Sequence, residues 1–270
     1  KPNILFDARE YYPKHFENDT LWRLLQAPFQ FYLCKKYIGR VTKCITVSQG
    51  LKDKYKSEFN VDMDLFYSLP TYADIAPSSV ATKIKLVHHG KATPARKIEN
   101  IIFAMDKVRN EFVLDIILVG EDKYIKELRE LASSRPNVRI LDPVLFDKIV
   151  PTLNQYDVGI VFFPPTTFNL KHCMPNKLFE YLQARLAVIS APLDDLKIFI
   201  EQEDIGFVAT SFDPESLAVC INNLSKKEVS RIKNRADILA NKYNKTLNDK
   251  LLETILGETQ SSLPQYANKI

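Results

Sequence analysis

The run from Met174 to Ser190, MPNKLFEYLQARLAVIS, decides the fold because it joins a helix start, an amphipathic helix and an apolar strand. Pro175 suits the first turn of a helix, where its missing backbone N–H costs little, and Asn176 can accept backbone hydrogen bonds there. The apolar side chains that follow have helical spacing, whereas the segment 186–189 is uniformly apolar and typical of a buried strand. One carboxylate, Glu180, lies in this helix, and its residue type alone favours a solvent-exposed position.

The composition of the chain limits the classes of protein to which it can belong. The chain has 270 residues, of which 46% are hydrophobic and 26% charged, as in a globular protein with one large or two medium domains. A net charge of +4 is too small to indicate nucleic-acid binding, although it suits an anionic substrate or a membrane surface. The 4 cysteines lie far apart without a C-x-x-C pair, so we expect reduced thiols of a cytoplasmic protein and neither a zinc site nor disulfides.

Strand and helix patterns alternate along most of the chain. The apolar strand patterns are 4–6, 44–47 and 65–69 before a linker at 70–82, and 84–88, 114–119, 138–141, 158–163 and 188–189 after it. Such alternation predicts parallel β-α-β units and a doubly wound sheet. From Asp213, a helix cap that Pro214 follows, the pattern is helical.

The run PNKLFEYLQARLAVIS resembles the donor-site helix of the retaining nucleotide-sugar glycosyltransferases of the GT-B fold, the large group 1 family. In that family a Pro-Asn-Lys-Leu-x-Glu-Tyr run precedes a small-residue turn and an apolar strand, and the similarity extends here from Ile4 to about Ile255. It implies an α/β fold of the GT-B type, with a Rossmann-like doubly wound donor domain and a partial N-terminal α/β domain. The implied divisions are 1–75 for the N-terminal, acceptor-side domain, 76–240 for the donor-binding domain, and 241–270 for a crossover helix and a frayed tail.

The resemblance assigns nucleotide binding to two segments. Glu180 takes the place of the family's ribose-binding glutamate, whose ionised carboxylate can accept two hydroxyl hydrogen bonds. The segment HHGKATPARK, residues 88–97, resembles the family's Gly-Arg-x-x-x-x-Lys phosphate grip. Lys91 takes the arginine place, Arg96 takes the lysine place, and Lys97 is a further candidate. As a bare charge run, the same segment would be a solvent-exposed face.

His172 is a departure from the family, which often has a second glutamate at that place. It precedes the helix whose positive end should face the diphosphate. A protonated His172 would help to neutralise the leaving group, a neutral one would hydrogen-bond the sugar, and an incidental loop histidine would do neither. Arg185 and Ala187 also depart from the family's glycine and proline in the turn. The predicted catalytic residues are Arg96, Glu180 and His172. The predicted donor-binding residues are Gly90, Lys91, Lys97, Gly120, Glu121, Val144, Leu145, Met174, Pro175, Asn176, Lys177 and Leu178.

Two segments near the start of the chain have two interpretations each. The run Asp7-Ala-Arg-Glu10 resembles a family Asp-Ala-His-Glu run in which the histidine faces the donor sugar; here Arg9 replaces it, and a salt-bridged strand end is the alternative. The helical pattern at 19–40 has an aromatic face, which would contact lipid or an acceptor, although core packing is the commoner role of such a stripe.

Taken together, the resemblance implies a metal-independent enzyme with no cofactor. It would move a sugar, with retention, from a UDP-, GDP- or ADP-linked donor to a saccharide or lipid-linked acceptor. We expect a role in surface polysaccharide or glycoconjugate synthesis, a cytoplasmic location and, as a further option, peripheral contact with the inner face of the membrane.

Two other functions fit the same architecture. One is a non-catalytic nucleotide-sugar binding or scaffold module, and the other is a nucleotide-sugar epimerase, for which the sequence offers few suitable carboxylates and histidines. The strand at Ile4 matches the late part of the family's first domain. We therefore expect a fragment or one module of a longer protein, which binds the donor but transfers sugar poorly alone.

Overall fold

The computed structural model describes residues 3–261, which form two parallel β-sheets flanked by helices. The first sheet has the order β1–β2–β3, with strands Leu5–Ala8, Lys43–Thr46 and Asp64–Leu65. The second has the order β6–β5–β4–β7–β8–β9, with β4 to β9 at Ile84–Ala92, Phe112–Gly120, Val138–Leu141, Val158–Val161, Ala187–Ser190 and Gly206–Val208. The chain builds outward from β4 to β6 and then adds β7 on the other side of β4, which creates a switch point. The predicted parallel, Rossmann-like α/β fold class is confirmed.

Twelve α-helices lie within the described residues and are numbered in chain order. Their bounds, α1 to α12, are Thr20–Leu25, Ala27–Tyr37, Gln49–Phe59, Glu99–Ala104, Asp122–Ala132, Ile149–Leu153, Phe168–Lys171, Asn176–Gln183, Asp194–Glu203, Pro214–Asn222, Lys226–Ala240 and Lys245–Ser261.

Side chains cap the start of five of these helices: α1, α3, α7, α10 and α11. Asp213 caps α10 with Pro214 in the first turn, as predicted, and Ser48 caps α3. The start of α8 differs from prediction: Pro175 is its N-cap, not its first residue, and no side chain caps this end. The cationic run 88–97 contains a short 3-10 turn, Pro94–Arg96, that ends at Lys97 with φ +50°, before α4.

The second sheet lies at the centre of the main hydrophobic core. Strands β7 and β8 are buried along their whole length, and β4 and β5 are buried along most of theirs. A parallel sheet covered by helices on both faces needs such uniformly apolar strands. The carboxyl ends of β4 and β7 are thereby held rigidly beside the start of α8.

The aromatic face at 19–40 is not core. Phe29, Phe31 and Tyr32 are 52%, 38% and 49% exposed, whereas Cys34 and Ile38 carry the contact of this region with the first hydrophobic cluster. The core-packing interpretation is wrong for these three aromatic residues, because α1 buries no residue and α2 buries only Cys34. No helix within residues 3–261 has both the length and the apolar composition to cross a membrane.

Arg185 fixes the segment between the two sheets. It lies fully buried in the turn after α8 with φ +60°, a left-handed conformation that favours glycine. Its guanidinium donates to the carbonyl oxygen of Ala73 at 2.9 Å and to Asp237 Oδ1 at 2.8 Å. The departure at Arg185 thus ties the linker to α8 and α11.

A second set of contacts joins the sheets through α7. The Phe168 ring packs against Tyr11 with ring centres 5.7 Å apart, and the backbone N–H of Tyr11 donates to Asn169 Oδ1 at 2.7 Å. The divisions predicted at 75/76 and 240/241 remain predictions. The tail expected to fray from Gly257 is helical as far as Ser261, and residues 262–270 lie outside the described part of the chain.

Candidate functional site

Gly90 shapes the site at the carboxyl end of β4. Its φ is +133°, a conformation that side chains rarely adopt. A Cβ atom at this position would lie 3.0 Å from Lys177 Nζ, so the glycine leaves room for the Lys177 side chain to approach the strand. The start of α8 and the end of β4 therefore meet at the switch point of the sheet, where open α/β sheets bind their ligands.

Lys177 and Arg96 form a cationic pair in this corner. Neither side chain donates a hydrogen bond to any group in the part of the chain that the structure describes, and the Arg96 guanidinium lies 4.4 Å from the centre of the Phe163 ring. Burial, assisted by the Arg96 charge and opposed by Glu180, lowers the pKa of Lys177 from 10.5 to about 7. Burial also lowers the pKa of Arg96. Two partly buried cations without a neutralising hydrogen-bond partner are suited to an anion such as a diphosphate.

Glu180 follows Lys177 on the same helix, and its partner is His89. The distance from His89 Nε2 to Glu180 Oε2 is 3.1 Å, and the two side chains are only 10% and 14% exposed. His89 Nε2 makes no hydrogen bond of normal alignment despite this short distance, so the contact is a loose one. Burial lowers the pKa of His89, and the neighbouring Glu180 carboxylate acts in the opposite direction.

Three recesses surround these side chains. A small apolar recess of about 80 Å³ is lined by His89, Gly90, Ile117, Val119, Pro143, Val144, Ile149 and Leu153. A second recess, of about 330 Å³, contains Glu180, Asn176, Arg9, Phe146 and Asn248 among its lining residues. The third, the central cleft between the two sheets, has about 870 Å³ and shares Arg9 and Asn176 with the second. Apolar, carboxylate, cationic and polar surfaces thus adjoin one another.

The structure brings together part of the predicted site. Gly90, Arg96, Lys177 and Glu180 lie in the corner, Val144 lines the apolar recess, and Asn176 lines both larger recesses. Met174 is buried and also lines the central cleft. Pro175 contributes the start of α8.

Other predicted residues do not reach the corner. Lys91 is exposed and lines none of the three recesses, and Lys97 pairs on the surface with Glu99 at 3.6 Å. The Leu178 side chain is completely buried in the core, and its predicted contact with the donor remains a prediction. Leu145 is 73% exposed on the loop after β6.

Gly120 and Glu121 each have a role in the local backbone structure. Gly120 ends β5 with φ +141°, and a Cβ atom there would lie 2.5 Å from the carbonyl oxygen of Ala92. The glycine therefore permits β4 and β5 to approach, and its predicted contact with the donor remains a prediction. Glu121 is the exposed N-cap residue of α5 and lines none of the recesses described above.

His172 is held between the two sheets. Its Nδ1 lies 2.7 Å from Asp195 Oδ2, while Asp195 Oδ1 accepts a hydrogen bond of 2.9 Å from the backbone N–H of Gly50. A Cβ atom at Gly50 would lie 2.0 Å from His172 Nδ1, so the fit requires glycine. A neighbouring carboxylate holds the His172 ring, and His172 is absent from the described lining of the cleft. The catalytic role of His172 remains a prediction.

Arg9 forms the salt-bridged strand end considered from the sequence. Its Nε lies 2.8 Å from Asp7 Oδ2 and its guanidinium donates to Ser68 Oγ at 3.0 Å, yet it lines both larger recesses. The two interpretations of this segment are therefore compatible.

Sequence reasoning missed two features of the site. His89 was placed after the strand at 84–88 and was given no role of its own, although a polar residue beside Gly90 at a strand end was an available signal. Glu10 faces the central cleft, with His15 Nε2 at 3.1 Å and Asn169 Nδ2 at 3.3 Å from its Oε2. Asn169 comes from far along the chain, so only the folded structure brings this group together.

The described residues contain no group of three or more His, Cys, Asp or Glu side chains that could hold a metal ion. Whether catalysis is independent of metal remains a prediction.

The fold and this corner define an α/β protein with a cationic corner at the switch point of a parallel sheet. The family model described as "Glycosyl transferases group 1" matches residues 83–227, more than half of the chain. The chain belongs to this family of glycosyltransferases.

Solved GT-B glycosyltransferases share the fold. Anabaena HepE, in complex with UDP-glucose, has 16% identity and a TM-score of 0.73 over 94% of this chain and 72% of its own. WaaG, a glycosyltransferase involved in lipopolysaccharide biosynthesis, has 13% identity and a TM-score of 0.69 over 95% and 78%. Pneumococcal GtfA, in complex with UDP and GlcNAc, has 12% identity and a TM-score of 0.68 over 94% and 52%. Sequence comparison with curated proteins gives no significant match.

Proposed function

We propose that the chain binds a nucleoside diphosphate sugar and transfers its sugar, with retention of the anomeric configuration, to a saccharide or lipid-linked acceptor. The observation that carries this proposal is the cationic pair of Lys177 and Arg96 beside Glu180. Anion binding and hydroxyl binding are the two requirements of a nucleoside diphosphate, and here they adjoin at one corner.

The nucleotide would lie along the first two recesses. Glu180 would accept hydrogen bonds from the ribose hydroxyls, and the apolar recess at Val144 would contact the base. HepE has been solved with UDP-glucose and GtfA with UDP and GlcNAc, which supports UDP as the first nucleotide to test.

The diphosphate is the leaving group of the reaction. As the bond from the anomeric carbon to the phosphate oxygen breaks, negative charge develops on that oxygen, and Lys177 and Arg96 would stabilise it. In a same-face transfer the acceptor oxygen bonds to the anomeric carbon and its proton passes to the departing phosphate oxygen. The protein then supplies positioning and charge rather than a nucleophile.

The central cleft is suited to a saccharide acceptor. Glu10 and Asn169 provide hydroxyl partners, and Phe16, 55% exposed and stacked on His15 with ring centres 4.1 Å apart, offers an apolar ring face. WaaG acts in lipopolysaccharide biosynthesis, and by analogy we propose a surface glycoconjugate as product. A cytoplasmic location and contact with a membrane face belong to the same proposal.

His172 favours the alternative of a non-catalytic nucleotide-sugar binding module, because its ring pairs with Asp195 instead of lining the cleft. Turnover separates the candidates. The purified protein is incubated with UDP-glucose and an oligosaccharide acceptor, once with a chelator and once without it.

For a metal-independent transferase we expect release of UDP together with an elongated acceptor whose new linkage has the donor's anomeric configuration. Intact donor after binding would indicate the module, and an epimeric sugar nucleotide would indicate an epimerase. Activity that disappears with the chelator would contradict metal independence.

A further inference from the structure

His89 Nε2 is a buried polar atom that the fold leaves without a well-formed hydrogen bond. Within the described residues, only this atom and Ser190 Oγ are buried side-chain nitrogen or oxygen atoms in that condition. Ser190 is the last residue of β8 and lines none of the three recesses described above, whereas His89 lines the apolar recess next to Gly90. Such an atom in a recess indicates that a ligand, or a small movement on ligand binding, completes its hydrogen bonding.

The backbone and ring of His89 are held from several sides. The backbone pairs with Ile117 of β5, and its N–H donates to the Tyr181 hydroxyl at 3.3 Å. The imidazole packs edge-on against the Tyr181 ring, with ring centres 5.2 Å apart. Tyr181 is itself fixed, because it is buried against Gly159, where a Cβ atom would lie 2.4 Å from the ring. The imidazole therefore presents Nε2 in a set direction.

Glu180 Oε2, at 3.1 Å, is the group that Nε2 faces. Lys177 on the same helix and His88 on the same strand are the neighbouring cationic or titratable groups. His88 is occupied elsewhere, since its Nδ1 donates to the carbonyl oxygen of Ile160 at 2.9 Å. Burial keeps His89 neutral at neutral pH, and a neutral imidazole with its proton on Nε2 can donate to the carboxylate.

We propose that His89 is a positioning residue, which donates from Nε2 to one oxygen of Glu180 and thereby directs the carboxylate toward the ribose hydroxyls of a bound nucleotide. The inference rests on the proposed nucleotide site. One carboxylate oxygen is engaged by His89, and the remaining lone pairs stay available for the 2′- and 3′-hydroxyls. Because the Glu180 carboxylate is then already oriented, less side-chain entropy is lost when the nucleotide binds.

The proposal is tested by comparing the affinities for nucleotides with and without the ribose hydroxyls. Affinities for UDP and for 2′,3′-dideoxy-UDP are measured by calorimetry on the wild type and on His89→Phe, which keeps a ring but removes the donor. We expect UDP affinity to fall roughly tenfold, as for loss of a hydrogen bond to a charged group, and dideoxy-UDP affinity to stay unchanged. His89→Gln, which retains a donor of similar reach, should recover most of the UDP affinity.

His88→Asn is the matched control, because it alters the neighbouring residue while keeping a donor for the Ile160 carbonyl. We expect it to leave the preference for UDP over the dideoxy analogue unchanged. If His89→Phe does not fold, His89→Asn replaces it, since its shorter side chain does not reach Glu180.

Equal losses for both nucleotides would mean that His89 acts only on the structure, and an unchanged UDP affinity would refute any role in positioning. Absence of UDP binding by the wild type would instead contradict the proposed function, and the inference with it. The two failures are therefore distinguishable in one set of titrations.

Discussion

The surroundings of Lys177 disfavour the charged form of its side chain. It retains partial solvent exposure, so an anion can reach it, yet burial and the Arg96 charge disfavour its protonated form. From the sequence, this residue had two equal interpretations, a solvent-exposed lysine and a donor-binding one. The helix pattern gives the position of Lys177 on α8 but not the strand end packed against it, so its burial could not be predicted. Glu180 was assigned through the family resemblance alone.

Nucleotide binding should depend on the titration of Lys177. Its pKa is about 7 in the free protein, so above pH 7 the protein must take up a proton to present a charged Lys177 to the diphosphate. UDP affinity should therefore fall between pH 7 and 9, by at most about tenfold per pH unit. Calorimetry at several pH values, in buffers of different ionisation enthalpy, measures both the slope and the proton uptake.

Other groups near Lys177 do not titrate in this window. Phosphate monoesters lose their second proton near pH 6, Arg96 stays charged, and burial raises the pKa of the Cys173 thiol to about 11. Lys177→Gln should bind UDP more weakly and without the slope. The same slope in the variant and the wild type would assign it to another group.

At the scale of elements, the end of β4 and the start of α8 make the site together. Periodicity predicted both elements, because the helix is amphipathic and the strand is apolar. The turn at 94–96 was not predicted. It begins at Pro94 and ends at Lys97 in a left-handed conformation, and the spacing of charges does not indicate such a backbone. As a result Arg96 reaches the corner, whereas Lys91 and Lys97 in the same cationic run do not.

Gly90→Ala tests the close approach of these elements. The substitution places a side chain at φ +133° and a Cβ atom 3.0 Å from Lys177 Nζ, so we expect a loss of about 1–3 kcal/mol in the free energy of unfolding, and weaker UDP binding. Urea unfolding measures the first quantity. Gly39→Ala is the control, because a Cβ atom there meets nothing within 4 Å; its change should stay within about 0.5 kcal/mol. Equal effects at both glycines would show that Gly90 has no special role.

At the scale of the whole molecule, two sheets face each other across the central cleft and α7 holds them together. The doubly wound sheet was predictable because its strands and helices alternate in sequence. The contacts of Phe168, Asn169 and His172 with the first sheet were not, since each joins residues that are more than 100 positions apart or on different sheets. For that reason the sequence led to the prediction of a catalytic role for His172, whereas in the structure this residue lies between the two sheets.

His172→Ala distinguishes these roles. Removing a partner of Asp195, which is 8% exposed, should lower the free energy of unfolding by about 1–3 kcal/mol while UDP affinity changes less than about twofold. His15→Ala is the control for stability, because its ion pair with Glu10 is 40% and 42% exposed and should contribute little. Loss of UDP binding at unchanged stability would return His172 to the donor site.

The measurement that tests the central claim most directly is a calorimetric titration of the protein with UDP, GDP and ADP, repeated on Glu180→Ala and on the exposed control Glu201→Ala. We predict binding of one nucleotide, with UDP the first candidate, weakened by about 1.5–3 kcal/mol in Glu180→Ala and unchanged in Glu201→Ala. Binding that is equal in all three proteins, or no binding of any nucleotide, would contradict the assignment of this corner as the nucleotide-sugar site.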